Sequence, residues 1–106
     1  MKNRTSDAIA ILSRHVEADP ELKAMVQEAR AHRQIAELIH DLRESEGLSQ
    51  ADLAGRIGTS QSTIARLEDL KYTGHTLTML TRILTALGRD LEIRAPRKTV
   101  FRSLGT

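Results

Sequence analysis

A short helix-forming segment that ends at Gly58 constrains the fold of this 106-residue chain more than any other feature. Ser49 and Asp52 have the spacing of a capping box, in which both side chains satisfy free backbone N–H groups at a helix start. Leu53 and Ile57 then lie one turn apart and predict an inward face. Gly58 ends the helix after about two turns, because glycine adopts the left-handed exit conformation without steric cost.

A second short helix is predicted directly after this turn. The pair Thr59-Ser60 supplies the cap, and Ile64 and Leu67 point inward from a segment that extends to about Leu70. Two short helices joined by a tight glycine turn form a helix-turn-helix.

The segment upstream contains two more helical patterns. A first helix is predicted over residues 6–17, and Asp19 before Pro20 marks a second helix start. No Gly or Pro follows until Gly47, and the polar residues 31–34 separate two apolar stripes. The pattern fits either one long helix or a break near residue 32. The apolar residues of the first predicted helix and of the start of the second either bind a partner or pack onto the chain's own core. They are Ile9, Leu12, Val16, Leu22, Met25 and Val26.

The downstream segment predicts a last helix and one short strand. Leucines at positions 77, 80, 84 and 87 form a core stripe, which Met79 and Ile83 widen beyond what one small core needs. Leu91 and Ile93 alternate with charged residues, and Pro96 closes the run. Because a lone strand leaves its backbone groups unpaired, we expect it to pair with its copy in a second chain. The candidate dimer contacts are Leu91, Ile93, Met79 and Ile83.

The composition excludes several classes of protein. Tyr72 and Phe101 are the only aromatic residues, so a surface that stacks successive unpaired bases cannot be built. The chain has no Cys, which excludes disulfides and thiol catalysis. The longest apolar run, residues 8–12, is far shorter than the roughly 20 residues of a membrane span. We therefore expect a cytoplasmic protein with no membrane contact.

The sequence shows no constellation of residues typical of an enzyme. The four histidines are scattered, with no pair at a spacing of three or four residues on one helix. No Gly-rich phosphate loop is present, since neither Gly55 nor Gly58 is followed by the required Lys-Ser/Thr. We expect no catalytic residues, no cofactor and no metal.

The charges are unevenly distributed although the formal net charge is only +2. Five of the basic residues fall between positions 89 and 106, against two acidic ones. This basic tail is either a solvated segment or an arm that contacts DNA phosphates.

The segment from Leu48 to Glu68 resembles the helix-turn-helix of Cro and the phage repressors, the XRE family. The positions that carry the resemblance are Gln50, Leu53, Ala54, Gly58, Thr59, Ser60, Ile64, Leu67 and Glu68. It extends over residues 35–87 and implies an all-α bundle of the phage-repressor type, here with extra N-terminal helices and a short C-terminal strand that pairs across a dimer. The implied function is sequence-specific binding of double-stranded operator DNA by a homodimeric repressor.

The resemblance also implies roles for individual residues. The helix from Ser60 to about Leu70 would be the recognition helix, with Gln61, Ser62 and Arg66 as the base-contacting residues. The phosphate-contacting candidates are Gln50, Thr59, Ser60, Thr63 and Lys71. Arg43 and Glu68 occupy positions that form a structural ion pair in relatives. The loop after Glu68 departs from the family pattern, and Tyr72 there is either a core plug or a sugar contact.

Outside the motif, the chain resembles antitoxins of toxin–antitoxin operons, the HigA-like and HipB-like proteins. That resemblance implies a cognate toxin partner, either HigB/RelE-like or HipA-like. It divides the chain into an arm over residues 1–32 as a candidate toxin-binding segment, a DNA-binding domain over 33–88, and a dimerisation strand with a basic tail over 89–106. The alternatives are a general XRE-family regulator without a toxin, or a toxin-masking module with little DNA specificity.

Overall fold

A computed structural model describes residues 4–97 of the chain, with side chains from Asp7 onward. In this part of the chain all regular secondary structure is helical, which confirms the predicted all-α class. The helices are α1 (Arg4–Ala18), α2 (Pro20–Ser45), α3 (Gln50–Ile57), α4 (Gln61–Leu67) and α5 (Leu77–Ala86).

The helix α2 runs without a break from Pro20 to Ser45, so this segment forms one long helix and does not break near residue 32. Its predicted start is confirmed, because Asp19 Oδ1 accepts hydrogen bonds from the backbone N–H groups of Glu21 at 3.0 Å and Leu22 at 3.2 Å. The polar residues 31–34 include no helix breaker, so helical hydrogen bonding continues through them. The boundary placed at residue 32 thus falls inside a continuous helix.

The turn between α3 and α4 has the predicted geometry. Ser49 Oγ accepts from the N–H of Asp52 at 3.0 Å, and Asp52 Oδ2 accepts from the N–H of Ser49 at 2.9 Å, which completes the capping box. Gly58 lies in the left-handed region with φ +74°, where a residue with a side chain would be strained. Ser60 then caps α4 by accepting from the N–H of Thr63 at 3.2 Å.

The end of α4 differs from the prediction, since the helix stops at Leu67 rather than near Leu70. Asp69 donates its N–H to the carbonyl of Arg66 at 3.1 Å, a tightened final turn. The Asp69 carboxylate accepts from the N–H of Lys71 at 2.9 Å, so the side chain replaces a helical hydrogen bond with a local turn. The predicted helix was too long because the apolar spacing gave no sign of this turn.

The hydrophobic core joins the C-terminal half of α2 to α3, α4 and α5. Its buried side chains are Ile39, Leu53, Ala54, Ile57, Ile64, Leu67, Leu80, Ile83, Leu84 and Leu87. Ile83 is 0% exposed, which corrects its assignment as a dimer contact: the side chain packs among core residues of its own chain and is not available to a partner.

The N-terminal arm, defined as α1 and the first half of α2, lies outside this core. Ile9, Leu12 and Met25 are 57%, 61% and 62% exposed, so the alternative in which they pack onto the chain's own core is wrong. Val16, Leu22 and Val26 are half-buried. The arm therefore presents apolar side chains to solvent.

Residues 91–97 form neither helix nor strand, which corrects the prediction of a short strand here. The alternating pattern is present, but no other extended segment of the described chain offers backbone partners for a ladder. Leu91 packs against the core, whereas Ile93 is 73% exposed. Of the predicted basic tail, Lys98 and Arg102 lie outside the described residues.

Candidate nucleic-acid interface

The exposed face of α4 carries the three residues predicted to contact bases. Gln61, Ser62 and Arg66 are exposed, while Ile64 and Leu67 on the opposite side are buried in the core. The core residues thus fix which face of α4 points outward. This face offers an amide, a hydroxyl and a guanidinium, which together can donate to and accept from base edges.

Hydroxyl groups cluster at the N-terminus of α4, where three phosphate-contacting candidates lie. Ser60 Oγ is 2.8 Å from Thr63 Oγ1 and 3.1 Å from Ser62 Oγ. Thr59 is half-buried in the turn just before them. Short hydroxyl side chains beside the free N–H groups of a helix start form a surface suited to an anionic oxygen.

Gln50 on α3 contacts the exposed face of α4. Its Oε1 accepts from Gln61 Nε2 at 2.7 Å, and its own Nε2 donates to Glu68 Oε1 at 3.3 Å. Gln61 therefore keeps its Oε1 and one N–H available, the pair of groups that a bidentate contact with adenine requires. Gln50 also keeps one side-chain N–H available as a donor.

Arg43 and Glu68 form the predicted ion pair between α2 and the end of α4. Arg43 Nε donates to Glu68 Oε2 at 2.7 Å and Nη2 donates to Oε1 at 2.9 Å, a bidentate arrangement. A third donor, Nη1, binds the carbonyl of Leu48 at 2.7 Å. Both side chains are buried, at 8% and 4% exposure. The pair connects the bundle to both elements of the helix-turn-helix.

The surroundings of Glu68 keep its carboxylate ionised. Burial by itself would raise its pKa, but hydrogen bonds from Arg43, His40 and Gln50 outweigh burial, and the pKa of Glu68 lies below its usual range. The hydrogen bond to Glu68 likewise raises the pKa of Arg43. The His40 contact, 3.0 Å from Nδ1 to Oε1, was missed from the sequence. Its position three residues before Arg43 on α2 is the signal that would have found it.

The loop after α4 carries the remaining phosphate candidate. Lys71 is exposed, and its backbone is held by the Asp69 turn. Tyr72 packs against the core and donates its hydroxyl to the Gly74 carbonyl at 3.2 Å, which favours the core-plug alternative. His75 near the end of the loop contacts His32 on α2, a pairing that the sequence did not predict.

The residues predicted to form the dimer surface differ in exposure. Met79 and Leu91 are half-buried against the core and Ile93 is exposed. A groove of about 580 Å³ lies beside Ile93, and Leu38 and Leu77 supply part of its apolar lining. The groove runs between the middle of α2, the start of α5 and residues 91–94.

The described residues contain no group of three or more His, Cys, Asp or Glu side chains that could hold a metal ion. Among the helices of residues 4–97, none is both long and apolar enough to cross a membrane.

Comparison with known proteins identifies the family of the segment that carries this candidate interface. A family model described as a helix-turn-helix domain matches residues 34–96, more than half of the chain. No curated protein and no solved structure matches the chain at a significant level. The matched range contains α3, α4, α5 and the ion pair. The chain belongs to the helix-turn-helix domain family, in its XRE/Cro-type class.

Proposed function

We propose that the chain is a transcriptional repressor that binds double-stranded operator DNA with α4 in the major groove. The observation that carries this proposal is the exposed face of α4, where Gln61, Ser62 and Arg66 lie opposite the buried Ile64 and Leu67. In helix-turn-helix proteins the second helix enters the groove with its N-terminal residues toward the bases. Gln61 and Ser62 are the first two residues of α4.

The side chains divide into those that read bases and those that set the register. Gln61 pairs with adenine and Arg66 with guanine, because their donor and acceptor patterns match those base edges. Gln50 orients Gln61 and contacts a phosphate with its remaining N–H group. The other phosphate contacts are Thr59, Ser60, Thr63 and Lys71, which position the protein without carrying sequence information.

Selection from a pool of randomised duplexes tests this proposal. We expect a consensus with two related half-sites, about 10 base pairs apart from centre to centre. The selected duplex should bind at least about 10³-fold more tightly than a random duplex at the same salt concentration. Selection that yields no consensus, with equal affinity for all duplexes, would support the rival function of a protein-binding module with little DNA specificity.

We further propose that the repressor acts as a homodimer. Between residues 33 and 88 the chain has six basic and seven acidic residues, so one copy offers little net attraction to DNA. Two copies double the number of phosphate contacts and match a pseudo-palindromic site. Ile93 is 73% exposed beside the groove that Leu38 and Leu77 line, and these apolar side chains form the contact with a second copy.

Replacing Ile93 by Asp tests the dimer. An aspartate in this apolar contact would be buried without a partner, so we expect the molar mass measured by light scattering to fall from that of a dimer to that of a monomer. Affinity for the two-half-site duplex should fall at least about tenfold, because the avidity of linked sites is lost. Ile11→Asp is the matched control, since Ile11 is 51% exposed on α1. A monomeric wild type, or a dimeric Ile93→Asp variant, contradicts the proposed dimer.

The N-terminal arm supports an antitoxin role for this repressor. Ile9, Leu12 and Met25 are exposed apolar residues in a segment that precedes the matched helix-turn-helix domain. Ile9 and Leu12 lie three residues apart on one face of α1, and an exposed apolar face is typical of a protein-binding site. The proposed partner is a cognate toxin of the HigB/RelE-like or HipA-like kind. The alternative is a general regulator without a toxin. A reading frame for a small toxin next to the gene of this chain would argue against that alternative.

The double variant Ile9→Ser with Leu12→Ser tests the arm. Both residues are exposed, so we expect the free energy of unfolding to change by no more than about 0.5 kcal/mol each. DNA binding should be unchanged, while the variant should no longer restore growth when co-expressed with the product of the adjacent reading frame. Ala10→Ser, on the same helix, is the control. Full neutralisation by the double variant would rule out this face as the toxin contact.

A further inference from the structure

Two histidines far apart in the sequence meet at the junction between α2 and the loop that follows α4. His32 Nδ1 and His75 Nδ1 are 2.9 Å apart, and the ring centroids are separated by 5.2 Å with an interplanar angle of 22°. Both side chains are half-buried, and the ring of Tyr72 packs edge-on against His75 with centroids 5.1 Å apart. The pair plays no part in the DNA contacts proposed above.

The hydrogen-bond partner of His75 Nε2 determines which of the two histidines donates in this pair. His75 Nε2 lies 2.7 Å from the carbonyl oxygen of Leu67. A carbonyl oxygen only accepts, so His75 Nε2 carries a proton and, in the neutral ring, Nδ1 is the acceptor. His32 Nδ1 must then carry the proton between the two rings. The order of donation runs from His32 to His75 to Leu67.

The carbonyl at the end of this chain belongs to the last residue of α4. The final carbonyl groups of a helix have no donor within the helix, and Leu67 is only 4% exposed. The imidazole N–H of His75 supplies the missing donor and closes the loop of residues 68–74 onto α4. That loop carries Lys71, the proposed phosphate contact.

We propose that His32 and His75 are positioning residues for DNA binding: the bonds from His32 to His75 and from His75 to Leu67 fix the end of α4 and the Lys71 loop relative to α2. This inference rests on the proposed DNA-binding function. Neither histidine contacts DNA. The donor and acceptor order makes the pair directional, so chemical substitution can distinguish it from simple packing.

The tautomers provide a direct test that needs no DNA. Long-range ¹H–¹⁵N correlation spectra of the full chain at neutral pH should show His75 protonated at Nε2 and His32 protonated at Nδ1. The Nδ1–H form is the minor one for a free neutral imidazole in water, so its predominance at His32 would be diagnostic. A spectrum in which His32 is protonated at Nε2 alone would overturn the proposed order.

Matched substitutions test the positioning role. Gln at position 32 can still donate, and Gln at position 75 can both accept and donate, whereas Leu can do neither. We expect His32→Leu and His75→Leu to weaken binding to the selected duplex about fivefold each, and to accelerate hydrogen exchange of the Glu68 and Asp69 amides. His32→Gln and His75→Gln should restore most of both properties.

Three results separate this inference from its alternatives. If Leu and Gln variants bind the selected duplex as tightly as the wild type, the pair does not position the interface. If Gln and Leu variants weaken binding equally, the rings act by packing and the donor order is irrelevant, which also overturns the proposal. If the wild type itself selects no duplex, the proposed function has failed, and the role of the pair in DNA binding fails with it, whatever tautomers the spectra show.

Discussion

Arg43→Ala is expected to lower the free energy of unfolding by about 3–5 kcal/mol, because one partner of a buried ion pair is removed. The substitution leaves the Glu68 carboxylate buried at 4% exposure without its bidentate partner, and it removes the donor to the Leu48 carbonyl. Chemical denaturation followed by circular dichroism measures the change. DNA binding would also decrease, but as a consequence of unfolding, so that loss would give no information about DNA contact.

The chain offers a matched control for this prediction. Arg33 pairs with Glu37 at 3.3 Å on the same helix, but both side chains are more than half exposed. Arg33→Ala should therefore change stability by no more than about 0.5 kcal/mol. Replacing both Arg43 and Glu68 by apolar residues should be less damaging than Arg43→Ala, because no unpaired charge remains. Equal, small effects of Arg43→Ala and Arg33→Ala would contradict the buried ion pair.

The same pair predicts how stability depends on pH. The pKa of Glu68 is lower in the folded chain than its ordinary value. The contribution of ionised Glu68 to the free energy of unfolding is therefore complete above the ordinary pKa of a glutamate, about 4.3. It is lost as the pH falls through the lower pKa that Glu68 has in the folded chain. The stability difference between wild type and Glu68→Gln should narrow as the pH falls below about 4.

The double variant Gln61→Ala with Arg66→Ala is expected to show the second large effect, on DNA affinity. Each bidentate base contact contributes about 1–3 kcal/mol of discrimination, so the two together reduce affinity for the selected duplex by about 30-fold or more. Affinity for random duplex should change far less, because non-specific binding rests on phosphate contacts. Competition gel shifts at one fixed salt concentration measure both quantities.

Three further substitutions show whether the loss arises from base reading. Gln27→Ala and Arg30→Ala remove the same side-chain types from exposed positions of α2 and should leave affinity unchanged. Lys71→Ala should weaken binding to every duplex alike and reduce the dependence of log affinity on log salt concentration by about one. A double variant that loses specific and random binding in equal proportion would assign Gln61 and Arg66 to the phosphate backbone.

Features that depend on neighbouring residues could be predicted from the sequence. The Asp19 cap, the Ser49–Asp52 capping box and the left-handed Gly58 each involve hydrogen bonds or dihedral angles within a few residues, and all were predicted correctly. Arg43 with Glu68 is a contact between distant residues, and it was predicted only through the resemblance to phage repressors.

Features that depend on the packed chain could not be predicted in this way. The contact between His32 and His75 joins residues 43 positions apart, and nothing near either residue indicates it. The exposure of Ile9 and Leu12 also has no local signal, because an amphipathic pattern shows that a face is apolar without showing what covers it. The alternation at Leu91 and Ile93 predicted a strand, but a strand forms only where a second backbone pairs with it.

Repeating the duplex selection with the Gln61→Ala, Arg66→Ala variant tests most directly that α4 reads DNA sequence. The wild type should yield a two-half-site consensus, and the variant should yield one in which the positions read by Gln61 and Arg66 are no longer specified. An identical consensus from both proteins would contradict base reading by α4.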